Sequence, residues 1–421
     1  LIMKIFLYNC FVLILLPAMA FRIVFKSLKD HDYKKHFFHR LGIYKDIKPL
    51  HRPIWFHAVS LGEVISSKSI VNDLLKNNEV IMTVSTPTGL REAKKIYGDN
   101  LTVVYTPWDL IIFVKKFIKK FNPVALIIFE TEIWPSMIYQ SSKNNIPIIL
   151  SNARLSKTSY RSYMRFKFFV LDTLNKFSLI LAQSDQHLDR FRRMGVSINK
   201  IKKVGSVKFD IKIKRNESIK RFDNLVLAAS THIGEDEIIA DTFIRLKKEF
   251  DNLKLIIVPR HPERSIKVHK IFKDKLISSE ISSILPGEVF SKDVVIINSI
   301  GMLNDLYKMA TISFIGGSLF KQYGGHNIVE PAINKCSFIV GPFMKNFEEV
   351  INIFKIEDAC IQISDSELLY SKMKELLTNH DLRNNMTNNA LKVIENNRGS
   401  SEIQFKYINN LINYEISNSN N

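Results

Sequence analysis

Acidic side chains follow two apolar runs of the sequence, where a buried strand would end and a helix would begin. Glu63 follows the run 53–59, and Glu130 and Glu132 follow the run 124–129. A carboxylate held at a strand end can act as a general base on a sugar hydroxyl. A glutamate there can equally be a first-turn residue that favours the helix dipole, or a capping acid in a surface loop. From spacing alone both interpretations stay open at both places.

Amide and basic side chains follow other apolar runs and suit an anionic ligand. Asn152 and Arg154 directly follow one such run, and Arg260 and His261 lie in a turn bounded by prolines. Lys208 stands at the edge of a charged segment. A surface turn, a rigid solvated loop and a solvated lysine explain these residues nearly as well, so the spacing does not choose.

The segment 314–331 carries two pairs of glycines, at 316–317 and 324–325, directly after an apolar run. The first pair permits positive φ angles and the close approach of a ligand to the backbone. After the second pair, His326 and Asn327 stand where a helix N-terminus would present free N–H groups to an anion, and Glu330 follows one turn later. The segment therefore predicts a nucleotide-binding turn.

Short apolar runs alternate with longer amphipathic stretches, which is typical of buried parallel strands connected by helices. A charged segment, 208–223, interrupts this alternation and is the predicted linker. The sequence thus predicts two α/β domains, at 45–212 and 220–405, with ligands at the carboxyl ends of the strands in the cleft between them, and a fraying tail at 406–421. The predicted strands are 53–59, 80–84, 101–105, 124–129, 146–150, 179–182, 225–229, 253–258, 294–297, 312–315, 338–340 and 360–363.

The N-terminal run 5–21 is almost wholly apolar; only Lys4 closely precedes it, whereas Arg22 and Lys26 follow it. This order of charges predicts a membrane anchor over residues 1–26 rather than a cleaved signal peptide. By the positive-inside rule, the rest of the chain lies on the cytoplasmic side of the membrane. The run is at the short end for a spanning helix, so a helix that lies in the membrane surface stays open as well.

The chain of 421 residues has 46% hydrophobic residues and a formal net charge of +19. This composition excludes a disordered or fibrous protein and allows two domains of ordinary size. The positive charge is spread along the chain without a zinc finger, a ribonucleoprotein motif or an arginine-rich tail, so no nucleic-acid partner is expected. Cys10, Cys336 and Cys360 are isolated, so neither a disulfide framework nor a cysteine metal site is predicted.

Taken in order along the chain, these segments resemble the 3-deoxy-D-manno-octulosonic acid (Kdo) transferases of lipopolysaccharide synthesis. The resemblance implies an α/β fold of the GT-B type, with two facing Rossmann-like domains and an N-terminal membrane-anchor helix. It implies transfer of Kdo from CMP-Kdo, held by the second domain, to a lipid A precursor (lipid IVA), held by the first, on the cytoplasmic face of the inner membrane. The segments that carry it are 57–63, 86–89, 106–109, 130–135, 152–156, 208–210, 258–262 and 316–331.

Carried over residue by residue, the resemblance makes Glu63 the base that activates the acceptor hydroxyl for inverting attack on the anomeric carbon of Kdo. Glu130 matches a second essential carboxylate on the acceptor side, where Asn152 and Arg154 are the candidate acceptor-binding residues. The family needs no metal ion and no other cofactor, so a cation and helix N-termini must stabilise the leaving group. A basic first domain would also be attracted to phosphorylated lipid and to the anionic inner-membrane surface.

The resemblance also implies a donor site for the CMP part of the substrate. Lys208 matches a position that offsets charge on the departing phosphate, and Glu330 suits bidentate bonding of ribose hydroxyls. The donor-site residues that the resemblance implies are Lys208, Arg260, His261, Gly301, Asn327 and Glu330.

The sequence departs from the family pattern at Met302, where a glutamate is usual. A thioether cannot replace the hydrogen bond that a carboxylate would make to the cytidine or to its loop. Gly301 and Tyr307 are retained, which favours a relaxed contact over a lost activity. Two other functions stay open: another membrane-associated GT-B glycosyltransferase with a different nucleotide sugar, and a catalytically inactive, membrane-tethered binding protein.

Overall fold

This computed structural model describes residues 2–28, 30–211, 219–287 and 290–419. The chain divides into an N-terminal unit, Leu1–Asp210 with Gly399–Asn421, and a C-terminal unit, Ile211–Arg398. Each unit is built on one parallel sheet whose strands alternate with helices. Of the predicted linker, residues 212–218 lie outside the described part of the chain.

The sheet of the N-terminal unit is buried on both faces. Its strands are β1 (Ile54–His57), β2 (Val80–Val84), β3 (Thr102–Tyr105), β4 (Ala125–Phe129), β5 (Ile148–Ala153), β6 (Leu179–Ala182) and β7 (Ile201–Lys203). They pair in the order β3-β2-β1-β4-β5-β6-β7. Trp55 packs into one hydrophobic core and Phe56 into the other, because successive side chains of a strand point to opposite faces.

Caps and prolines set the ends of several helices in this unit. The helices are α1 (Ile2–Ser27), α2 (Leu61–Ser66), α3 (Lys68–Leu74), α4 (Pro87–Tyr97), α5 (Ile111–Phe121), α6 (Pro135–Lys143), α7 (Lys157–Arg165), α8 (Lys167–Leu174) and α9 (Asp185–Met194). The hydroxyl oxygen of Thr86 accepts the N–H of Gly89 at 3.1 Å at the start of α4, and Pro87 occupies its first turn. Asn122 adopts the left-handed conformation that ends α5.

The C-terminal unit repeats the same doubly wound arrangement. Its strands are β8 (Leu225–Thr231), β9 (Lys254–Pro259), β10 (Ser279–Ser282), β11 (Val294–Ile297), β12 (Ile312–Ile315), β13 (Ser337–Val340) and β14 (Ile361–Gln362), in the order β10-β11-β9-β8-β12-β13-β14. Its helices are α10 (Glu235–Lys247), α11 (Ser265–Asp274), α12 (Leu303–Met309), α13 (Val329–Ile333), α14 (Glu348–Ile356), α15 (Leu368–Thr378) and α16 (His380–Asn397). Two Rossmann-like units of this kind confirm the predicted fold class.

Every predicted strand segment overlaps a strand of the structure. The prediction missed β7 and β10, each of which lies at an edge of its sheet. The sequence of β7 is Ile-Lys-Lys and that of β10 is Ser-Glu-Ile-Ser. An edge strand is less buried and often carries charged side chains, so neither sequence contains the apolar run that marks a central strand.

The last helix, α17 (Ser400–Ser419), corrects the predicted C-terminal boundaries. The sequence predicted a second domain at 220–405 and a fraying tail at 406–421. The structure instead assigns the whole helix to the N-terminal unit. Ile408 and Ile412 are buried in one of the cores of that unit. Packing of one apolar helix face stabilises a segment whose Asn- and Ser-rich composition suggested a tail.

The N-terminal helix α1 is long and apolar enough to cross a membrane. It nevertheless lies against the N-terminal unit, since Ile5, Val12 and Ile23 along its length are buried. The remaining apolar surface of the helix faces outward. Its exposed side chains include Phe6, Leu7, Phe11, Leu13, Ile14, Phe21 and Phe25.

Polar contacts hold the first turns of α1 on the N-terminal unit. Lys4 forms an ion pair with Asp172 of α8. The hydroxyl of Tyr8 donates to Asp109 Oδ2 at 2.8 Å. Asn9 Oδ1 accepts the first N–H of α5 at 2.8 Å. The N-terminal end of the helix is therefore fixed to the N-terminal unit.

Candidate active site

Two pairs of central strands end where a doubly wound sheet binds its ligands. β1 pairs with β4, and β8 pairs with β12, although other strands separate the members of each pair in the chain. The direction in which strands are added reverses at each pair, which opens a crevice beyond the strand ends. Glu63 and Glu130 follow β1 and β4, whereas His232 and Gly316 follow β8 and β12. Each unit therefore has a candidate ligand site of its own.

Glu63 lies in the first turn of α2, and Ser60 is the N-cap residue of this helix. The hydroxyl of Ser60 donates to Glu63 Oε1 at 2.9 Å, and Ser60 Oγ accepts the N–H of Glu63 at 3.5 Å. Glu63 Oε2 accepts the N–H of Val59 at 2.8 Å. The capping role that the sequence left open is therefore present. The carboxylate can still bind a substrate hydroxyl, since each of its oxygens can accept a second hydrogen bond.

Burial gives Glu63 an unusual proton affinity. The residue is 8% exposed, and burial of the carboxylate raises its pKa from 4.5 to about 8. The charge of Glu130 raises this pKa further, whereas the hydrogen bond from Val59 lowers it. A carboxylate with a pKa near the working pH is a stronger base than an ordinary glutamate and is still deprotonated in part. The structure thus brings the two predicted catalytic carboxylates into one electrostatic environment.

The two acidic residues after β4 differ in their surroundings. Glu130 has a left-handed backbone with φ of 60°, which is strained for a residue other than glycine. Its N–H donates to the carbonyl of Ser151 at 2.9 Å. Glu132 Oε2 accepts the indole N–H of Trp134 at 2.9 Å, and burial raises the pKa of this carboxyl. Glu132 has a fixed partner in the protein, which leaves Glu130 as the better candidate for contact with a substrate.

His57, the last residue of β1, was not predicted as a site residue. Its Nδ1 lies 2.9 Å from Thr83 Oγ1, and its ring meets the ring of Trp134 edge-on at 5.4 Å. Its Nε2 has no hydrogen-bond partner among the described residues. Burial lowers the pKa of His57 to about 3, so the ring is neutral at physiological pH. His57 thus supports Trp134, which in turn holds Glu132.

Asn152, a predicted acceptor-binding residue, is fully buried at the end of β5. Its Oδ1 accepts the N–H of Val207 at 3.4 Å, and its own N–H donates to Gln404 Oε1 at 2.7 Å. The structure therefore shows Asn152 joining β5 to two other segments, which excludes the surface turn that the sequence left as the alternative. Binding of an acceptor by Asn152 stays a prediction. Arg154, two residues further, is half-buried. Lys208, predicted for the donor site, belongs to the N-terminal unit, and its role stays a prediction.

The glycine turn after β12 is occupied by a carboxylate of the protein itself. Glu235 Oε1 accepts the N–H groups of Ser318 and Leu319, each at 3.0 Å. Glu235 Oε2 accepts the N–H of Gly317 at 2.7 Å and that of His232 at 2.9 Å. The sequence predicted that this turn would bring its backbone to a ligand, and the structure corrects that expectation. No local pattern indicates the pairing, because 82 residues separate Glu235 from Gly317.

Asn327 and Glu330 lie together at the start of a short helix, and Asn327 already bonds to one of its backbone N–H groups. Asn327 Nδ2 donates to Glu330 Oε1 at 3.0 Å, and Asn327 Oδ1 accepts the N–H of Val329 at 3.0 Å. The helix α13 has five residues, and its first N–H is used by this cap. Burial raises the pKa of Glu330. An oriented glutamate of this kind can bind ligand hydroxyls.

The other predicted donor residues end strands of the same parallel sheet. Arg260 and His261 follow β9 and are exposed, with the His261 ring centroid 6.0 Å from that of His232. Gly301, after β11, has φ of 97° and open space around it. Met302 is the N-cap residue of α12, and the hydroxyl of Ser299 donates to its sulfur at 3.4 Å.

One group of potential metal ligands occurs among the described residues. His36, His39 and Asp46 have their ligand atoms within 4.8 Å of one another. Asp46 is bonded to both rings, at 2.9 Å to His36 Nδ1 and at 2.9 Å to His39 Nε2. These residues precede β1 in the chain and follow neither central strand pair. The group is therefore not part of either candidate ligand site.

Comparison with known proteins decides the family. The family model of 3-deoxy-D-manno-octulosonic-acid transferase (kdotransferase) matches residues 35–211. The 3-deoxy-D-manno-octulosonic acid transferase of Haemophilus influenzae is 32% identical over 412 residues, which cover 94% of this chain and 96% of that relative. The chain belongs to the Kdo transferase family. The Aquifex aeolicus transferase is 29% identical over 326 residues, 77% of this chain and 86% of that relative.

As a member of this family, the Kdo transferase is a glycosyltransferase that transfers Kdo. This result favours an enzyme over the inactive binding protein that the sequence left open. The fold is shared more widely. A glycosyltransferase from Rickettsia africae matches 87% of this chain and 100% of its own at a TM-score of 0.58 and 14% identity. UDP-GlcNAc 2-epimerase from Neisseria meningitidis matches 84% of this chain and 99% of its own at a TM-score of 0.57 and 12% identity, which shows the fold alone.

Proposed function

We propose that this Kdo transferase moves Kdo from CMP-Kdo to a lipid A precursor, lipid IVA, in one inverting displacement that needs no metal ion. The observation that carries the proposal is the buried position of Glu63 after β1, where burial and the charge of Glu130 raise its pKa to about 8. A general base for a sugar hydroxyl needs this combination of position and basicity. The resemblance of the whole chain to Kdo transferases supports the choice of donor and acceptor.

In the proposed step, an acceptor hydroxyl gives its proton to Glu63 while its oxygen bonds to the anomeric carbon of Kdo. The bond from this carbon to the phosphate oxygen breaks, and its electron pair leaves with CMP. One displacement of this kind inverts the configuration at the anomeric carbon. Glu130 holds the acceptor sugar in place by accepting a second hydroxyl, and its charge keeps Glu63 basic.

The C-terminal unit supplies the proposed donor site. Glu330, oriented by Asn327, accepts hydrogen bonds from the ribose hydroxyls. Arg260 and His261 attract the phosphate. The resemblance adds Lys208 of the N-terminal unit as the residue that offsets the phosphate charge as CMP departs. These cations take the part that a divalent metal ion plays in other phosphate chemistry. Gly301 leaves open space for the cytidine next to Met302.

The enzyme is proposed to lie on the cytoplasmic face of the inner membrane, with α1 in the membrane surface rather than across it. A helix that crossed the bilayer would carry its first turns away from the catalytic unit, yet Lys4, Tyr8 and Asn9 bond to that unit. The outward apolar side of α1 can enter the lipid while the unit stays in water. The neighbouring α7 and α8 add exposed Phe166, Phe168, Arg161 and Arg165, which suit an anionic leaflet.

The test of this function is a product assay on the purified full chain in detergent. The chain is incubated with CMP-Kdo and tetraacylated lipid A precursor, and mass spectrometry counts the Kdo residues added. Transfer without added metal supports the proposal. Consumption of a UDP-sugar with no use of CMP-Kdo would favour the other nucleotide-sugar transferase and refute the proposed donor.

A further inference from the structure

Two histidines meet at the carboxyl ends of the central strands of the C-terminal unit. His232 follows β8, and His326 lies in the loop after β12. Their Nε2 atoms are 2.8 Å apart, and their rings are nearly parallel, at 12°. A contact of this length between two ring nitrogens is a hydrogen bond with one proton. One ring therefore donates at Nε2 and the other accepts there.

The surrounding residues hold this histidine pair, which we define as His232 and His326, in place. The ring of Tyr323 stacks on His232 at 3.9 Å. Gly317 makes room for the pair, because a Cβ at this position would lie 2.9 Å from the His326 ring. Glu235 accepts the N–H groups of both His232 and Gly317, which ties the two loops together. These contacts fix both rings in the crevice, so the pair is not a chance contact of two surface side chains.

Basic side chains lie beside the pair. Arg260, His261 and Arg264 at the end of β9 lower the pKa of His232, after the larger effect of its burial. Burial likewise lowers the pKa of His326 to about 3, and Arg260 lowers it further. Unliganded, the pair is therefore neutral at physiological pH.

The acidic groups that face the pair from α10 and from the end of β9 are already engaged. Glu235 accepts four backbone N–H groups. Asp236 is paired with Arg264. Glu263 lies 3.8 Å from His261. The crevice consequently has cations beside a neutral pair, and an anionic ligand is the charge that it lacks.

The proton balance of the pair changes when an anion arrives. In the neutral pair, one Nδ1 carries a proton and the other Nδ1 has a free lone pair, since a single proton lies between the Nε2 atoms. Adding one proton turns the second Nδ1 into an N–H donor and gives the pair a positive charge. A nearby anion favours this protonated form. Binding of an anion and uptake of a proton are therefore linked.

We propose that His232 and His326 are the phosphate-binding pair of the nucleotide site and take up one proton when the phosphate of CMP or CMP-Kdo binds. This inference rests on the proposed CMP-Kdo donor and deepens it. When the bond from the anomeric carbon to the phosphate oxygen breaks, the electron pair stays on that oxygen and adds a negative charge to the phosphate. The proton already held by the pair stabilises this charge, as charge-assisted donors do in other enzymes.

The test is calorimetric titration of the full chain with CMP at pH 8, in two buffers with different enthalpies of ionisation. At this pH the phosphate of free CMP is almost fully ionised. The difference in observed enthalpy gives the number of protons taken up, and we expect a value near one. Cytidine, which has no phosphate, should bind without proton uptake.

Three variants complete the test. His232→Gln and His326→Gln should remove the proton uptake and weaken CMP about 10- to 100-fold, the range for a lost charge-assisted hydrogen bond. His269→Gln is the matched control, because His269 lies on α11 and is bonded to Ser279. It should keep both the uptake and the affinity.

The outcomes separate this inference from the function on which it rests. CMP binding without proton uptake, or uptake that persists in both glutamine variants of the pair, refutes proton uptake by the histidine pair. Neither result contradicts the proposed Kdo transfer. Uptake that persists would place the proton on the phosphate itself. Failure of the unmodified chain to bind CMP refutes the proposed donor instead.

Discussion

Replacing Glu63 by glutamine separates its proposed role as a base from its role as a helix cap. The amide oxygen of Glu63→Gln can accept the N–H of Val59, and its NH2 group can donate to Ser60 Oγ, so both capping contacts survive. The variant should fold, bind CMP nearly as well as the unmodified chain, and lose at least about 100-fold in turnover.

The same substitution should stabilise the protein at alkaline pH. The folded chain holds the Glu63 proton up to a pKa of about 8, whereas the unfolded chain releases it near 4.5. Between these values the folded state binds more protons, so the free energy of unfolding falls as pH rises. Each pKa unit corresponds to about 1.4 kcal/mol, which sets an upper limit of about 5 kcal/mol at pH 9. A neutral glutamine avoids this loss.

The assay compares melting temperatures and rates of Kdo transfer at pH 5 and pH 9, in the same detergent. The Glu63→Gln variant should melt several degrees above the unmodified chain at pH 9 and close to it at pH 5. Glu92→Gln on α4 is the control and should change neither quantity. Equal melting temperatures at pH 9 would refute the buried, proton-holding carboxyl, and undiminished turnover would exclude Glu63 as the base.

Three further predictions concern the same enzyme. Glu130→Gln removes a charge that raises the pKa of Glu63, so the rise of kcat/KM with pH should move to lower pH, which a pH profile of the remaining activity measures. If α1 lies in the membrane surface, a cysteine at Met3 should react with an impermeant maleimide in inverted inner-membrane vesicles; reaction only in intact spheroplasts would mean that α1 crosses the bilayer. Dialysis against EDTA should leave transfer unchanged, and so should His36→Ala, which disrupts the group of potential metal ligands; a loss restored by a divalent cation contradicts the metal-independent step.

The sequence predicted the central strands of both sheets because such strands are buried on both faces and must be apolar throughout. For β1 and β4 this also located the ends at which Glu63 and Glu130 stand. It could not predict β7, whose edge position permits two lysines, or the packing of α17. The burial of α17 depends on a surface made by residues far away in the sequence, which no local pattern records.

The two candidate sites could be predicted from the sequence to different extents, because one depends on local contacts and the other on contacts between distant residues. The chemistry of Glu63 can be read from one short segment, since its cap residue Ser60 is three positions away. The donor loops are different. The turn at Gly317 looks like an open anion site until Glu235 is placed in it, and His232 meets His326 across 94 residues of chain. Long-range polar contacts of this kind decide which backbone groups remain available to a ligand.

The strained backbone of Glu130 should lower the stability of the protein, and this loss of stability can be measured. Its φ of 60° is unfavourable for any residue with a Cβ, by about 1 kcal/mol or more. Glu130→Gly should relieve that strain and remove the charge, whereas Glu130→Gln removes the charge alone. The free energy of unfolding of the glycine variant should therefore be about 1 kcal/mol higher than that of the glutamine variant. Both variants should lose most of their activity.

Asn122, which has φ of 43° outside the site, supplies the comparison. Asparagine tolerates this conformation, so Asn122→Gly should change stability less and leave transfer intact. Denaturant titration of the four proteins measures the differences. If the glycine variant of Glu130 is no more stable than the glutamine variant, the backbone there is not strained. If it is more stable and inactive, the enzyme keeps a glutamate where glycine would fold better, because a carboxylate is needed beside Glu63.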